Sequence, residues 1–402
     1  MSVLFGHPTG SPFAYNAALA HVEADRLEAF CIPWMPSRGT LCLLEPIGPL
    51  RSMAQRLGRR RFSPLAEVPK VQGRVGESRR LLMRALGWGD DDRLAVEAND
   101  WLMRTMRREC RRSAVTAVHA YEDCSCRQFA EAKRIGKACI YDMPIGYYPA
   151  WEELRCELAA KYAGWVPAGA ASPEPRKTQK RREMELADLV LAPSSFVADT
   201  IRRFHPHKCV ARASYGVDLA AWTPLSSHEP RNDMTFLFVG QCSIRKGTPL
   251  LLEAWRAAAL KRARLRLVGR WNLAESKKKE LPPGCAWTGP VSSNRLRGMY
   301  READVFVFPT NFEGRALALL EALASGLPVL TTCASGADDV VDEACGRMLP
   351  PDDLEALVEG LRWFDRNRGR LPELSRAARV NAERCSWDAY RHRLTEAVAP
   401  FV

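Results

Sequence analysis

Glu313 and Glu321 stand eight residues apart, each where a carboxylate could do chemistry. Glu313 lies in the loop Thr310 to Gly314, directly after DVFVFP, a run of apolar and β-branched residues that reads as a buried strand. Loops at the carboxyl ends of strands are where open α/β sheets bind ligands. Glu321 is the one charge in the apolar segment Ala316 to Ala324, which reads as a helix buried on every side. An unpartnered carboxylate there would be costly, so Glu321 requires a partner. Glu313 sits at the helix N-terminus, where the dipole and the free amides favour anions. Two carboxylates so placed can hold the two ends of an elongated polyhydroxylated ligand, because each carboxylate oxygen accepts from one hydroxyl of a vicinal pair.

These residues belong to a longer pattern. EGRALALLEALASGLPV resembles the EGxxxxxxxEAxAxGxPV signature of retaining GT-B glycosyltransferases, family 4 (the group 1 glycosyl transferases). Upstream, FLFVGQCSIRKGTPLLLEAW resembles the second motif of the same family. Either glutamate alone reads as a solvated or capping residue, and it is the two motifs in order that point to a site. In the second motif, Pro249 suits the first turn of the helix that follows the strand TFLFVG, and Arg245 and Lys246 aim two cations at a place already favourable to anions. Departure of a nucleoside diphosphate from a sugar builds negative charge on the β-phosphate, and fixed cations stabilise it without a metal. Asp90-Asp91-Asp92 matches a DxD string, but it precedes a helical pattern and reads as N-terminal capping, so no metal is expected.

The resemblance implies roles residue by residue. Glu321 would bind the ribose hydroxyls, Glu313 the donor-sugar hydroxyls beside the anomeric carbon, and Arg245 with Lys246 the diphosphate. Backbone amides of Gly314, Arg315, Ala316 and Leu317 would face sugar and phosphate. Gly240 would line the donor site, and Gly10 would close over the diphosphate from the first domain. His119 resembles the family's histidine beside the donor sugar, which makes Glu313, His119 and Lys246 the expected catalytic set. The chain departs from the family at Gln241, where arginine is frequent; at Arg315 and Ala316, where an aromatic residue and glycine are usual; and at Tyr215 in YGVD, usually asparagine. The implied activity is retaining, metal-independent transfer of a hexose from a nucleoside diphosphate sugar to a glycan, lipid-linked or small-molecule acceptor. A nucleotide-sugar epimerase and a non-catalytic nucleotide-sugar-binding protein are the alternatives.

The elements that must position these residues alternate as strands and helices. A chain of 402 residues, 47% hydrophobic and 26% charged, can bury two cores. From the amino end come the strand Ser2 to Gly6, a glycine-containing turn, a helix from Phe13 to Phe30, and a mostly helical, arginine-rich stretch over 46–110 broken by Pro49, Pro64 and Pro69. Ala114 to Ala120 reads as a strand that would bring His119 and Glu122 to a carboxyl end. Leu219 to Met234 reads as a linker, after which the alternation restarts. Such alternation implies parallel sheets. The resemblance implies the same: an α/β protein of GT-B architecture with an acceptor-binding Rossmann-like domain over 1–218, a nucleotide-sugar-binding one over 219–385 and a terminal helix over 386–402 that crosses back.

Composition narrows the surroundings. No apolar run approaches membrane-spanning length and the start lacks a signal-peptide pattern. Thirteen cysteines without a CxxC pair argue for free thiols in a reducing cytoplasm. The net charge of +12 favours anionic partners. Basic clusters at Arg59 to Arg61, Arg107 to Arg112 and Lys177 to Arg182 suit an anionic membrane surface, whereas nucleic acid is not expected, because no aromatic-interleaved basic repeat or zinc-finger spacing is present.

Overall fold

The computed structural model describes residues 2–402 apart from 9, 59, 86–87, 89–90, 167–173 and 225–232. Parts of the arginine cluster at 59–61, of Asp90 to Asp92, of the Gly- and Pro-rich stretch around 170 and of the expected linker therefore lie outside the described residues.

The first domain runs β1 (Ser2–Gly6), α1 (Pro12–Glu23), β2 (Leu27–Ile32), α2 (Arg38–Leu44), α3 (Gly48–Gly58), β3 (Lys70–Gln72), α4 (Arg74–Ala85) and α5 (Asp91–Glu109). It continues β4 (Val115–Tyr121), α6 (Cys126–Arg134), β5 (Ala138–Asp142), α7 (Tyr148–Lys161), α8 (Glu174–Leu186), β6 (Leu189–Ala192), α9 (Ser195–Phe204) and β7 (Val210–Arg212). All seven strands are parallel, in the order β3-β2-β1-β4-β5-β6-β7. Parallel strands covered on both faces read as continuous apolar runs, and β6, LVLA, is buried at all four positions.

The second domain comprises β8 (Met234–Val239), α10 (Thr248–Ala258), β9 (Ala263–Val268), β10 (Cys285–Thr288), α11 (Ser293–Glu302), β11 (Val305–Phe308), α12 (Leu317–Ala324), β12 (Val329–Thr332), β13 (Gly346–Leu349), α13 (Leu354–Arg366) and α14 (Leu371–Glu383). Its parallel order, β10-β9-β8-β11-β12-β13, repeats that of the first sheet, and the two Rossmann-like halves have the expected α/β GT-B organisation. The second core also takes Leu158 from α7 and Tyr162 directly after it, so that helix starts on the first domain and ends on the second. α15 (Trp387–Val398) crosses back, burying Tyr390, Leu394 and Val398 in the first core and linking Arg391 to Asn16 at 2.9 Å and Glu23 at 2.8 Å.

Three expectations change. The first helix ends at Glu23 rather than Phe30: Asp25 adopts a left-handed conformation (φ 51°) that turns the chain, and LEAFCI becomes strand β2 beside β1. A short apolar run carries too few turns for its period to separate buried strand from helix. β3 was hidden in the arginine-rich stretch for the same reason. Finally, α12 is not buried all round, because Leu317, Ala318 and Glu321 share a half-buried face. Among the described residues no helix is long and apolar enough to cross a membrane, and all thirteen cysteines are free thiols.

Candidate functional site

The loop after β8 and the loop after β11 are stitched together at the carboxyl edge of the second sheet. Asn311 N donates to Arg245 O at 2.8 Å, Asn311 Nδ2 to Ile244 O at 3.0 Å, and the Arg245 guanidinium to Phe312 O at 2.9 Å. Gly247 makes this approach feasible. Its φ is 66°, and a Cβ there would lie 1.8 Å from Pro309 O.

These bonds bring Lys246, Arg245 and Glu313 to one point. The Lys246 ammonium contacts the Glu313 carboxylate and sits 4.8 Å from the centre of the Phe308 ring, while Arg245 lies 3.4 Å from Glu313. Burial pushes the Arg245 guanidinium down to about 10. Burial and the neighbouring Arg245 also push Lys246 down, and the touching Glu313 carboxylate is what favours its charged form. Glu313 therefore lies against the two cations expected to meet a diphosphate.

Glu313 is fixed from the first domain as well. Gly146 N donates to Glu313 O at 3.4 Å, Ser194 Oγ donates to Gly314 O at 2.6 Å, and Ile145 bridges Gly314. A Cβ on Gly314 would lie 1.7 Å from Pro144 O, so only glycine lets the two domains meet here. Phe312 anchors the contact between Trp151 and Phe196, with ring centres 5.5 and 5.3 Å away.

Glu321 faces the same edge from α12. Its partner is a phenol, since Tyr300 Oη lies 3.2 Å from Glu321 Oε2 and 2.9 Å from Ala318 O. A phenol has one proton, so both contacts hold at once only when the carboxyl carries the other. That agrees with burial lifting Glu321 to about 7 against the lowering effect of the Tyr300 bond. A carboxyl raised above its unfolded value stabilises the fold below about pH 4.5, and the contribution is lost as pH rises through about 7. Buried Asp142 and Glu183, also lifted to about 7 by burial, act with the same sign. Glu321→Gln should remove one share of the fall in melting temperature between about pH 5 and pH 8. A variant whose melting curve keeps the wild-type pH slope would show that Glu321 is ionised throughout.

Several expected site residues sit elsewhere. His119 lies two residues inside β4 and is fully buried, bonded to His21 at 2.9 Å and packed edge-on to Phe5 at 4.9 Å. Burial drives its pKa down to about 3, so it is a neutral residue of the first core, with Nε2 3.7 Å from Asp142. Glu122, at the end of the same strand, pairs with Lys180 at 3.1 Å. The buried Arg315 side chain donates to Asp339 at 2.5 Å and Cys385 Sγ at 3.3 Å, which makes it a pin between loops. Gly314 N donates to the neighbouring Glu313 carboxylate at 3.2 Å and Ala316 N donates to Ser335 O at 3.3 Å, so both amides expected to face a ligand have protein acceptors. Leu317 opens α12 on its half-buried face. Gly240 follows β8, with its carbonyl where a Cβ on Gly269 would clash, and Gly10 packs against the Tyr15 side chain, whose hydroxyl lies 1.7 Å from its would-be Cβ. Trp151, Arg155 and Asn272 also border the cleft and carried no sequence signal, because their neighbours are distant in the chain. Among the described residues no group of three or more His, Cys, Asp or Glu could hold a metal ion.

Comparison with known proteins gives this geometry a setting. Residues 233–366 match the family model described as "Glycosyl transferases group 1". The chain is 30% identical over 220 residues to the sulfoquinovosyl transferase SQD2 of Arabidopsis thaliana, covering 50% of this chain and 42% of that protein. It is 27% identical over 214 residues to the putative colanic acid biosynthesis glycosyltransferase WcaL of Escherichia coli K12, covering 49% and 52%. The chain thus spans about half the length of the curated relatives it matches. The fold is similar to that of the sucrose-phosphate synthase from Thermosynechococcus elongatus (TM-score 0.69, 16% identity, 100% of this chain and 98% of that one). It is also similar to that of Anabaena Alr3699/HepE in complex with UDP (TM-score 0.64, 13% identity, 100% of each chain).

Proposed function

Because the chain has the GT-B fold and carries a domain of the group 1 glycosyl transferases over residues 233–366, we propose that it is a glycosyltransferase taking a hexose from a nucleoside diphosphate sugar. The observation that supports this most is the convergence of Lys246, Arg245 and Glu313 at the carboxyl edge of the second sheet, with Glu321 on the helix that follows. Cations at that point would stabilise the departing diphosphate, and the carboxylates would take sugar and ribose hydroxyls. On this reading the transfer is retaining, uses no metal, and sends the sugar to an acceptor on the first domain. The similarity to Anabaena Alr3699/HepE, whose structure is in complex with UDP, suits a nucleotide donor. Incubation with UDP-, GDP- and ADP-sugars tests the reading through release of nucleoside diphosphate. A chain that binds a nucleotide sugar and neither transfers nor hydrolyses it is a binding protein instead.

The acceptor side suggests where the enzyme works. Residues 51–112 hold 16 Lys and Arg against eight Asp and Glu, and Val75, Leu82, Trp88 and Val96 are exposed among them. We propose that this helical region rests on anionic lipid, where a lipid-linked acceptor would be found. Each basic residue near such a surface adds about 1 kcal/mol, and the attraction is screened by salt. Sedimentation with phosphatidylserine liposomes should capture the protein at low salt and release it at high salt. Absence of capture at low salt, or capture indifferent to salt, would overturn the proposal.

A further inference from the structure

A second feature of the cleft lies on the other side of Arg245. Trp151, Arg155 and Ala159 recur every four residues along α7 and so share one face of that helix. Across from them stand Gln241, Ser243 and Arg245 on the loop after β8, and Asn272 beyond β9. Between the two walls is a cavity of about 190 Å³. That is below the range of roughly 300–1,000 Å³ that takes a drug-sized ligand. It suits one small head group rather than a whole nucleotide sugar.

Its walls are half apolar, with Val166, Ile244 and Leu273 beside Trp151 and Ala159, and its polar groups are two cations and three neutral hydrogen-bonding side chains. Arg155 and Arg245 enter from opposite domains, and no carboxylate lines the cavity among the described residues. Neither guanidinium has a carboxylate to itself: Glu152 is shared by Arg155 at 3.2 Å and Lys177 at 3.3 Å, and Glu313 by Arg245 and Lys246. Arg155 Nε is buried with no hydrogen-bond partner. A buried guanidinium donor without an acceptor is unfavourable, and a planar anion-binding fork with one free prong is what an oxyanion would complete. α7 is held in place for this, because Tyr147 N donates to Thr200 Oγ1 at 2.9 Å on the first domain, while Tyr162 Oη donates to Asp352 at 2.9 Å on the second.

We infer that this interdomain cavity is a phosphate subsite, with Arg155 as the cation supplied by the first domain and Gln241, Ser243 and Asn272 as neutral partners. The identity of the phosphate carrier rests on the proposed glycosyltransferase reading. The carrier is either the donor diphosphate or a phosphorylated acceptor, and the same side chains suit both.

Titration calorimetry on the full chain at low salt tests the subsite, with inorganic phosphate, pyrophosphate, UDP, GDP and ADP as probes. Arg155→Met keeps the packed stem and removes the donors, and should weaken binding roughly tenfold or more, with Arg155→Lys recovering part of the loss. A loss in nucleoside diphosphate affinity assigns the site to the donor. A loss confined to phosphate and pyrophosphate assigns it to an acceptor phosphate. Should Arg155→Met fail to fold, Gln241 at the exposed rim decides: Gln241→Glu should weaken the same probes and Gln241→Lys tighten them. Affinities within about twofold of wild type in the deciding variants, or a wild type that binds none of the probes, overturn the inference. Sugar transfer by a wild type whose phosphate affinity ignores Arg155 would leave the enzyme reading standing alone. Arg155-dependent phosphate binding in a chain that turns over no nucleotide sugar would leave the subsite standing alone.

Discussion

Lys246→Ala should lower kcat/KM about a hundredfold, a loss of roughly 3 kcal/mol in transition-state stabilisation, comparable to removing one oxyanion donor. The expectation rests on position. Lys246 sits where α10 begins, with its ammonium buried against Phe308 and Glu313, so it is fixed before a substrate arrives. A cation that needs no reorganisation stabilises developing phosphate charge more than one recruited from solvent. Because Gln241 stands where a further cation is frequent in the resembling family, the demand on Lys246 and Arg245 grows. The decisive measurement is kcat/KM for wild type and variant, each with EDTA and with added magnesium. EDTA should cost wild type little. A wild type inactivated by EDTA and restored by magnesium, or an alanine variant as fast as wild type, would overturn the assignment.

Glu313→Gln should abolish turnover, by at least about a hundredfold in kcat, while nucleoside diphosphate affinity stays level or rises. The two halves have different causes. On the proposed reading the carboxylate contacts the sugar at the reacting carbon, so its loss falls on the chemical step. The same carboxylate lies on Lys246 and 3.4 Å from Arg245, so a diphosphate bound by those cations would displace it. A neutral amide yields those cations more readily than a carboxylate does. Stopped turnover together with tighter UDP, GDP or ADP binding would establish the displacement. Activity within about twofold of wild type, or affinity lowered about tenfold, would refute it.

How far the sequence carried is visible in these residues. Lys246, Arg245, Glu313 and Glu321 were legible because each motif is continuous in the chain: strand, loop and helix follow one another, and the loop can only fall at the strand's carboxyl end. The alternation of the second domain, from TFLFVG to GRML, was legible for the same reason. The full burial of His119 was not legible, since it depends on β4 running two residues further, to Tyr121. The Arg315–Asp339 pair was not legible, because Asp339 belongs to the loop after β12 and no local pattern tells which way a loop side chain turns. Arg155 gave no sign at all. It meets Arg245 only because α7 bridges two domains, a relation that lives in the tertiary structure.

The crossing helix bears on how the protein is made. The first core is not closed by the elements that end at Arg212, because it includes Tyr390, Leu394 and Val398 from a helix that starts 175 residues later. At a synthesis rate of roughly 5 to 20 residues per second, those side chains reach the first domain on the order of 10 to 35 s after β7 has left the ribosome. Through that interval the apolar groove beside α1 and β7 stands open, and the nascent first domain is a natural client for a chaperone until α15 seals it.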